Sequence, residues 1–482
     1  MMVLTKALIQ KSEENAVKNG GFSFSSLMSA AGKTAADIIN QNFNASGKRV
    51  LIACGNGNNG GDGFVAAGRL KELGAEVDII LPMGAPRTEN AAYYYSVLRG
   101  VNEVSEAENS YDIVIDAIFG IGLNRAVTGE IAEFIEKLNS LNALRAAIDI
   151  PSGILCDSGY ADGAVFCADL TITFIALKPC FLLPEGSDYC GKTVVVDIGV
   201  TPAGYEYLTI EKPEFKKRKH NSHKGNFGTA LLICGSYGMA GAAVLAARGA
   251  LRSGVGIVKS VICRDIYQGF TAAVPEAVCI PVKTSKSGSP DYTDEKIYTA
   301  VSSASAVLIG CGLGDTADTA LILEKILNIC KKPIIIDADG INALAKNINI
   351  LRETKAPVII TPHPGEMARL CGVTVPQIER DRVGFARKIS ADYGCVTVLK
   401  GANTVVADKD GCVYFNTTGN TGMSKAGSGD VLAGITVSLV CQGFSPFEAA
   451  KAAVYLHGEA GDRAAEKRSE RSMLASDLIE EL

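Results

Sequence analysis

Short apolar runs alternate with amphipathic stretches through the first two hundred residues. Runs at 49–54, 76–81, 113–118 and 146–150 have the length and β-branched content of strands. Between them, residues 63–73 and 130–141 repeat apolar positions at helical spacing, and 170–174 and 193–198 read as further strands. Strands alternating with helices predict a parallel, doubly wound sheet. The pattern lapses at KPEFKKRKHNSHKGNFG, residues 212–228, which is polar, basic and rich in turn formers. This stretch predicts a boundary, with one domain over 1–211 and a second over 212–482. Beyond it the alternation restarts with strands at 229–234, 306–309, 333–337, 357–361 and 396–400, a small-residue helix at 240–252, and helices starting near 430 and 446. Both halves are therefore expected to be α/β.

Composition narrows the function. The chain has 482 residues, 47% of them hydrophobic and 21% charged, enough for two to four domains with sizeable cores. A net charge of −5, no Trp and 6% aromatics offer little to a nucleic-acid backbone or to stacked bases. No run reaches the roughly 18 apolar residues of a membrane span, and the mixed-charge N-terminus lacks a leader's apolar stretch. A soluble cytoplasmic protein is expected. The 14 cysteines contain no CxxC, so they read as small core residues rather than a zinc or redox set.

The glycines fall in motifs. EGSDYCGKT at 185–193 matches a phosphate-loop pattern but opens an apparent strand, so it reads as a turn. GNGNNGGDGF at 55–64 follows a strand and precedes a helix, and Asp78 lies where a ribose-binding acid belongs. Its Asn side chains are hard oxygen donors, able to hold a monovalent cation or orient a polar substrate. Two more strand ends carry Asp116 with Gly120 and Gly122, and Asp149 with Ser152. Asn59, Asp116 and Ser152 are expected to converge there, with Asp149 beside them. GNTGMSKAGSGDVLAG at 419–434 leads into an apolar helix, which predicts an anion hole of amides with Asp430 in the first turn. Around it fall Gly310, Gly312 and Gly314, the pair Asp337 and Asp339, His363 with Glu366, and Lys400. The small residues from Gly241 to Ala243 suit close approach by a flat ligand. His220 and His223 lack a third ligand, and with the basic run 216–219 they read as solvated linker.

Together these motifs resemble those of the bifunctional NAD(P)H-hydrate repair enzymes, in which an epimerase domain is fused to an ADP-dependent dehydratase domain. The resemblance implies a Rossmann-like first domain and a ribokinase-like second. It implies potassium held by Asn59, Asp116 and Ser152. The hydrated dinucleotide would contact Asn58, Asn59, Gly60, Gly61, Asp62, Gly120, Ile121, Gly122, Leu123, Asn124, Arg125, Ala126 and Asp149, with Asp149 as the acid/base. In the second domain, ADP or ATP, with magnesium, would bind Lys400, Gly401, Ala402, Asn403 and Thr404. The same ligand would meet Asn420, Thr421, Gly422, Met423, Ser424, Lys425, Ala426, Gly427, Ser428 and Gly429. Ala243, Gly312, His363 and Asp430 would meet the damaged cofactor, with Asp430 catalytic. It also implies small-molecule substrates, NAD(P)HX and ADP, and a homo-oligomer, with neither nucleic acid nor membrane as partner. Two departures stand out: Ser29-Ala30, after Met28, replaces the family's usual Glu-Asn before Ala-Gly (here Ala31-Gly32), and Ala426 stands where glycine is common. Rival readings are a small-molecule kinase, which would share the GSGD loop, a dehydrogenase using GxGxxG, and a non-enzymatic adenine-nucleotide sensor.

Overall fold

The computed structural model describes residues 1–161 and 163–482 and divides into two compact units, Met1–Leu208 and Thr209–Leu482. The division precedes the basic stretch 212–228, which is tethered rather than free. Arg218 lies 3.9 Å over the Phe227 ring and donates to Gly254 O at 2.7 Å, while His223 Nδ1 caps its own turn by accepting from Gly225 N at 3.2 Å.

The first unit is built on seven parallel strands: β1 (Arg49–Cys54), β2 (Glu76–Ile80), β3 (Asn102–Glu103), β4 (Ile113–Ala117), β5 (Leu144–Ile148), β6 (Leu170–Phe174) and β7 (Lys192–Val196), in the order β3-β2-β1-β4-β5-β6-β7. The central strands are buried on both faces, which is why they read as unbroken apolar runs. Helices α1 (Lys6–Asn19) and α2 (Phe24–Phe43) precede the sheet, and α2 starts on a Ser23–Ser26 capping box. Helix α3 spans Asn58–Glu72, so it begins inside the glycine motif, five residues before the apolar periodicity becomes visible, and α4 (Glu89–Val97) and α5 (Glu130–Ser140) follow β2 and β4. Asp78 sits within β2, not at its end. Its carboxylate accepts from Tyr111 at 2.9 Å and Asn102 at 3.1 Å, so the ribose-binding expectation fails. The 185–193 segment does open a strand, β7.

The sheet of the second unit includes β8 (Thr229–Ile233), β9 (Ile257–Cys263), β10 (Val278–Val282), β11 (Ala306–Ile309), β12 (Ile334–Ile336), β13 (Val358–Ile360), β14 (Val396–Leu399), β15 (Val405–Ala407) and β16 (Val413–Phe415). Their order is β16-β15-β14-β13-β12-β11-β8-β9-β10, parallel except for the β14-β15-β16 meander. Around the sheet lie α6 (Ala240–Arg252), α7 (Pro364–Cys371), α8 (Arg382–Tyr393), α9 (Ser428–Cys441) and α10 (Pro446–Arg468). From Val431 onward α9 is buried on every side. It packs so closely on α6 that a β-carbon on Gly434 would overlap Ala246 O, which explains the small-residue face of α6. Ala243 is likewise 1% exposed and packs against Gly235, so the contact expected of it with substrate is not offered by its side chain.

Candidate active sites

In the first unit the sheet order reverses between β1 and β4, and a cavity of about 780 Å³ lies beyond their carboxyl ends. Asn58, Asn59 and Asp62 from the start of α3 line it, with Gly120, Ile121, Gly122, Leu123, Asn124, Arg125 and Ala126 from the loop after β4, and Asp149. Gly60 and Gly61 are not in the lining. Gly60 packs on the Gly55 carbonyl and Gly61 on Met28, so the helix can enter the sheet edge only without side chains there. The amides of Asn58, Asn59 and Gly60 have no acceptor among the described residues, leaving the helix N-terminus open to an anion.

Asn59, Asp116 and Ser152 are joined through backbone. Asn59 Nδ2 donates to Phe119 O at 2.9 Å, Phe119 N donates to Ser152 Oγ at 2.9 Å, and Ser152 Oγ donates to Asp116 Oδ1 at 2.7 Å. Burial pushes the Asp116 carboxyl up to about 6 against the lowering effect of its hydrogen bonds from Ser152 and Ile118. Asn59 Oδ1 is buried with no partner. An orphan amide oxygen linked through Phe119 and Ser152 to a desolvated carboxylate, which has no basic side chain on it among the described residues, is a donor set that fits a hard monovalent cation.

Asp149 occupies a left-handed backbone conformation, φ 73°. Its Oδ2 accepts from Ile121 N at 2.9 Å and its Oδ1 pairs with Lys178 Nζ at 2.9 Å. Lys178 is 1% exposed and also donates to Thr173 Oγ1 and to Phe174 O. Glu13, from α1, lines the same cavity; burial, then the Asp149 charge, raises its carboxyl to about 7. Asp62 is pushed well up by burial and by the same neighbours. Neither Lys178 nor Glu13 lies in a glycine motif, so sequence reasoning passed over both.

In the second unit Asp430 is the third residue of α9. Gly427 precedes the helix at φ 94°, and the amides of Ala426, Gly427, Gly429 and Asp430 have no acceptor among the described residues. Asp337 ends β12 and binds Lys400 Nζ at 2.7 Å and Thr361 Oγ1 at 2.7 Å. Cys311, Asp337 and Asp430 bring their ligand atoms within 4.8 Å of one another, so Cys311 belongs to the site and not merely to the core. Burial, then the Asp337 charge, raises Asp430 to about 6. Burial alone would lower Lys400, but Asp337 and Glu366 outweigh it and raise it. Glu366 is lifted by burial to about 7.

His363 is half exposed and acts as a cap: its Nδ1 accepts from Gly365 N at 3.0 Å and Glu366 N at 3.3 Å. That fixes the proton on Nε2, and burial with the Lys400 charge keeps the ring neutral. Gly312 lies against Ala242 and Met239. Asn420 to Gly429 form one loop. Asn420 holds Gly422 N and is itself held by Asp462, while Lys425 donates to the Arg471 and Met473 carbonyls and Met423 packs on Gly461. The Lys425 ammonium is thus committed to the protein, and the loop offers its amides instead. His457, buried and lowered to about 4, hydrogen-bonds Ser428 and fixes the start of α9. On the opposite wall Lys400 opens the loop Gly401, Ala402, Asn403 and Thr404, in which Thr404 Oγ1 donates to Gly401 O at 3.0 Å.

The fold and these two edges define an enzyme class: paired doubly wound α/β units, each with open amides at a helix N-terminus and a desolvated carboxylate beside them. Residues 230–482 match the family model described as NAD(P)H-hydrate dehydratase, and 25–180 match the YjeF-related protein N-terminus. A bifunctional NAD(P)H-hydrate repair enzyme of Moorella thermoacetica is 36% identical over 94% of this chain and 91% of its own length. That of Escherichia coli is 36% identical over 98% and 92%. The ADP/ATP-dependent NAD(P)H-hydrate dehydratase of Bacillus subtilis, crystallised with ATP and magnesium, is similar over 55% of this chain and 91% of its own, at 34% identity and TM-score 0.49. The chain belongs to the family of bifunctional NAD(P)H-hydrate repair enzymes.

Proposed function

We propose that the first unit interconverts the two epimers of hydrated NAD(P)H at ring carbon 6, and that the second uses ADP to remove water from one of them. The hydroxyl on carbon 6 neighbours the ring nitrogen, whose lone pair can expel it once the oxygen is protonated. In the second unit the acid form of Asp430, which burial favours, gives its proton to that oxygen. The C6–O bond then breaks with release of water, and the proton on carbon 5 passes to the Asp430 carboxylate left by the first transfer, which restores the C5=C6 double bond, the nitrogen lone pair and the acid. The open amides of Ala426, Gly427, Gly429 and Asp430, with Lys400, hold the nucleotide phosphates, and Asp337 is the carboxylate that would take an accompanying magnesium. Neutral His363 carries its proton on Nε2, 3.4 Å from Glu366 Oε1, and would turn this donor to the substrate.

In the first unit Asp149 serves as acid/base, aimed by Ile121 N and Lys178. Asn59, Asp116 and Ser152 would hold a potassium ion, which supplies fixed positive charge beside the dinucleotide. The observation that carries the reading is Asp430 itself: a desolvated carboxyl in the first turn of a helix whose leading amides are free. Hydrated NADH incubated with the protein and ADP should regain the reduced-nicotinamide absorbance band. Absence of recovery, or equal recovery without nucleotide, overturns the proposal.

A further inference from the structure

The guanidinium of Arg382 belongs to neither set of reacting groups, yet it is among the largest fully buried side chains, 1% exposed at the first position of α8. Its Nη2 donates to two consecutive carbonyls, Leu399 O at 3.2 Å and Lys400 O at 3.1 Å. Its Nη1 donates to Glu379 Oε2 at 3.1 Å and Oε1 at 3.4 Å, and its Nε has no acceptor among the described residues. Gly401, at φ 145°, lies over the guanidinium, where a β-carbon would be 2.7 Å from Nη2. The backbone leaving β14 is therefore shaped around this one side chain.

We infer that Arg382 is a positioning residue for the nucleotide loop: by holding the carbonyls of Leu399 and Lys400 it sets the path of 400–404 and the aim of the Lys400 ammonium. The inference rests on the reading of that loop as the ADP contact. A buried ion pair adds little net stability over an apolar residue of equal volume, and one guanidinium N–H is left unmade here. A planar fork does what an apolar residue cannot, namely pin two successive carbonyls in a fixed relation. Lys400 then spans the site, its carbonyl on Arg382 and its Nζ on Asp337, 3.2 Å from where a Gly429 β-carbon would lie.

Arg382→Met and Arg382→Lys in the full chain test this, with dehydratase kcat at saturating ADP as the control for a folded second unit and epimerase activity as the control for the first. Arg382→Met should raise the KM for ADP by about tenfold or more, with a smaller effect on kcat, while epimerisation is unchanged. Arg382→Lys should recover part of the loss, since an ammonium can reach one carbonyl but not grip both. A merely space-filling role would lower yield or melting temperature and leave the ADP KM of the folded fraction at the wild-type value, which overturns the inference. Should Arg382→Met not fold, a wild-type ADP KM in Arg382→Lys overturns it and a raised one supports it. Nucleotide-independent dehydration by the wild type would instead remove the loop reading itself, and this inference with it.

Discussion

Lys178 and Asp149 meet inside the first unit as a buried ion pair, Nζ 2.9 Å from Oδ1, at 1% and 13% side-chain exposure. The lysine comes from the turn after β6 and the aspartate from the end of β5, so the pair bridges two neighbouring strand ends. Its second carboxylate oxygen is fixed by Ile121 N, leaving the Asp149 carboxylate a single orientation.

Lys178→Met should therefore reduce epimerisation by about a hundredfold or more, the range expected for loss of an aligned acid/base. Breaking a buried pair by removing one partner also costs about 3–5 kcal/mol, so a drop in melting temperature accompanies it. Dehydration of the S epimer, measured separately, should persist. Retained epimerisation in Lys178→Met would mean that Asp149 is not aligned by this contact.

The second prediction concerns pH. Asp430 titrates near 6 instead of at the ordinary value of 3.8, so its acid form is lost as pH rises through 6. If that form supplies the proton, dehydratase kcat/KM should fall about tenfold per unit above that point. The same shift sets a stability sign. Between 3.8 and about 6 the folded protein binds more protons than the unfolded chain, so stability falls across that window and the full cost is present above it. Asp430→Asn removes the ionised group and should abolish dehydration. It should also raise stability at pH 8 by on the order of 2 kcal/mol, with little change at pH 4. An inactive variant no more stable at pH 8 than the wild type would contradict the desolvation account.

Much of both sites could be read in the sequence because strand ends in doubly wound sheets are marked by local signals. Gly55, Gly310 and Gly427 each stand where a β-carbon would clash or where φ is positive; Asp116, Asp149 and Asp337 follow directly on apolar runs, and Asp430 stands directly before one. Residues brought in from distant segments carry no such mark. Glu13 sits on an ordinary-looking amphipathic helix, Lys178 in a turn without glycines, and Arg382 in a charged stretch typical of surface helices. Asp78 failed for the opposite reason: its spacing from Gly55 was right, but in-register pairing of β1 with β2 places it opposite Leu51, mid-strand. Met28 fills the space beside Gly61, and with Leu27 and Ala31 it gives the cavity an apolar wall from α2.

The cation prediction follows from the orphan oxygen of Asn59. At constant ionic strength, potassium chloride should raise epimerase activity and first-unit melting temperature relative to a bulky organic cation chloride. Asn59→Leu, which removes the unpartnered acceptor, should abolish both effects without altering dehydration. Equal responses to the two salts in the wild type would argue that Asp116 is neutralised by a proton alone, as its rise to about 6 would permit at mildly acid pH.

The anion hole can be probed by a single methyl group. Gly429 has helical backbone, so alanine there carries no conformational penalty and should slightly favour α9. Its β-carbon would sit 3.2 Å from Lys400 Nζ and 3.9 Å from Asp337 Oδ2, in the space between the open amides and the ammonium. A phosphate bridging those groups has to use that space. Gly429→Ala should therefore leave melting temperature unchanged or higher, while raising the KM for ADP by about tenfold or more, since displaced charge-assisted hydrogen bonds are each worth about 1.5–3 kcal/mol. The opposed signs separate this outcome from general damage to the helix, which would lower stability and affinity together. Calorimetric titration with ADP measures the affinity without requiring turnover, and an unchanged dissociation constant would show that the phosphates lie elsewhere.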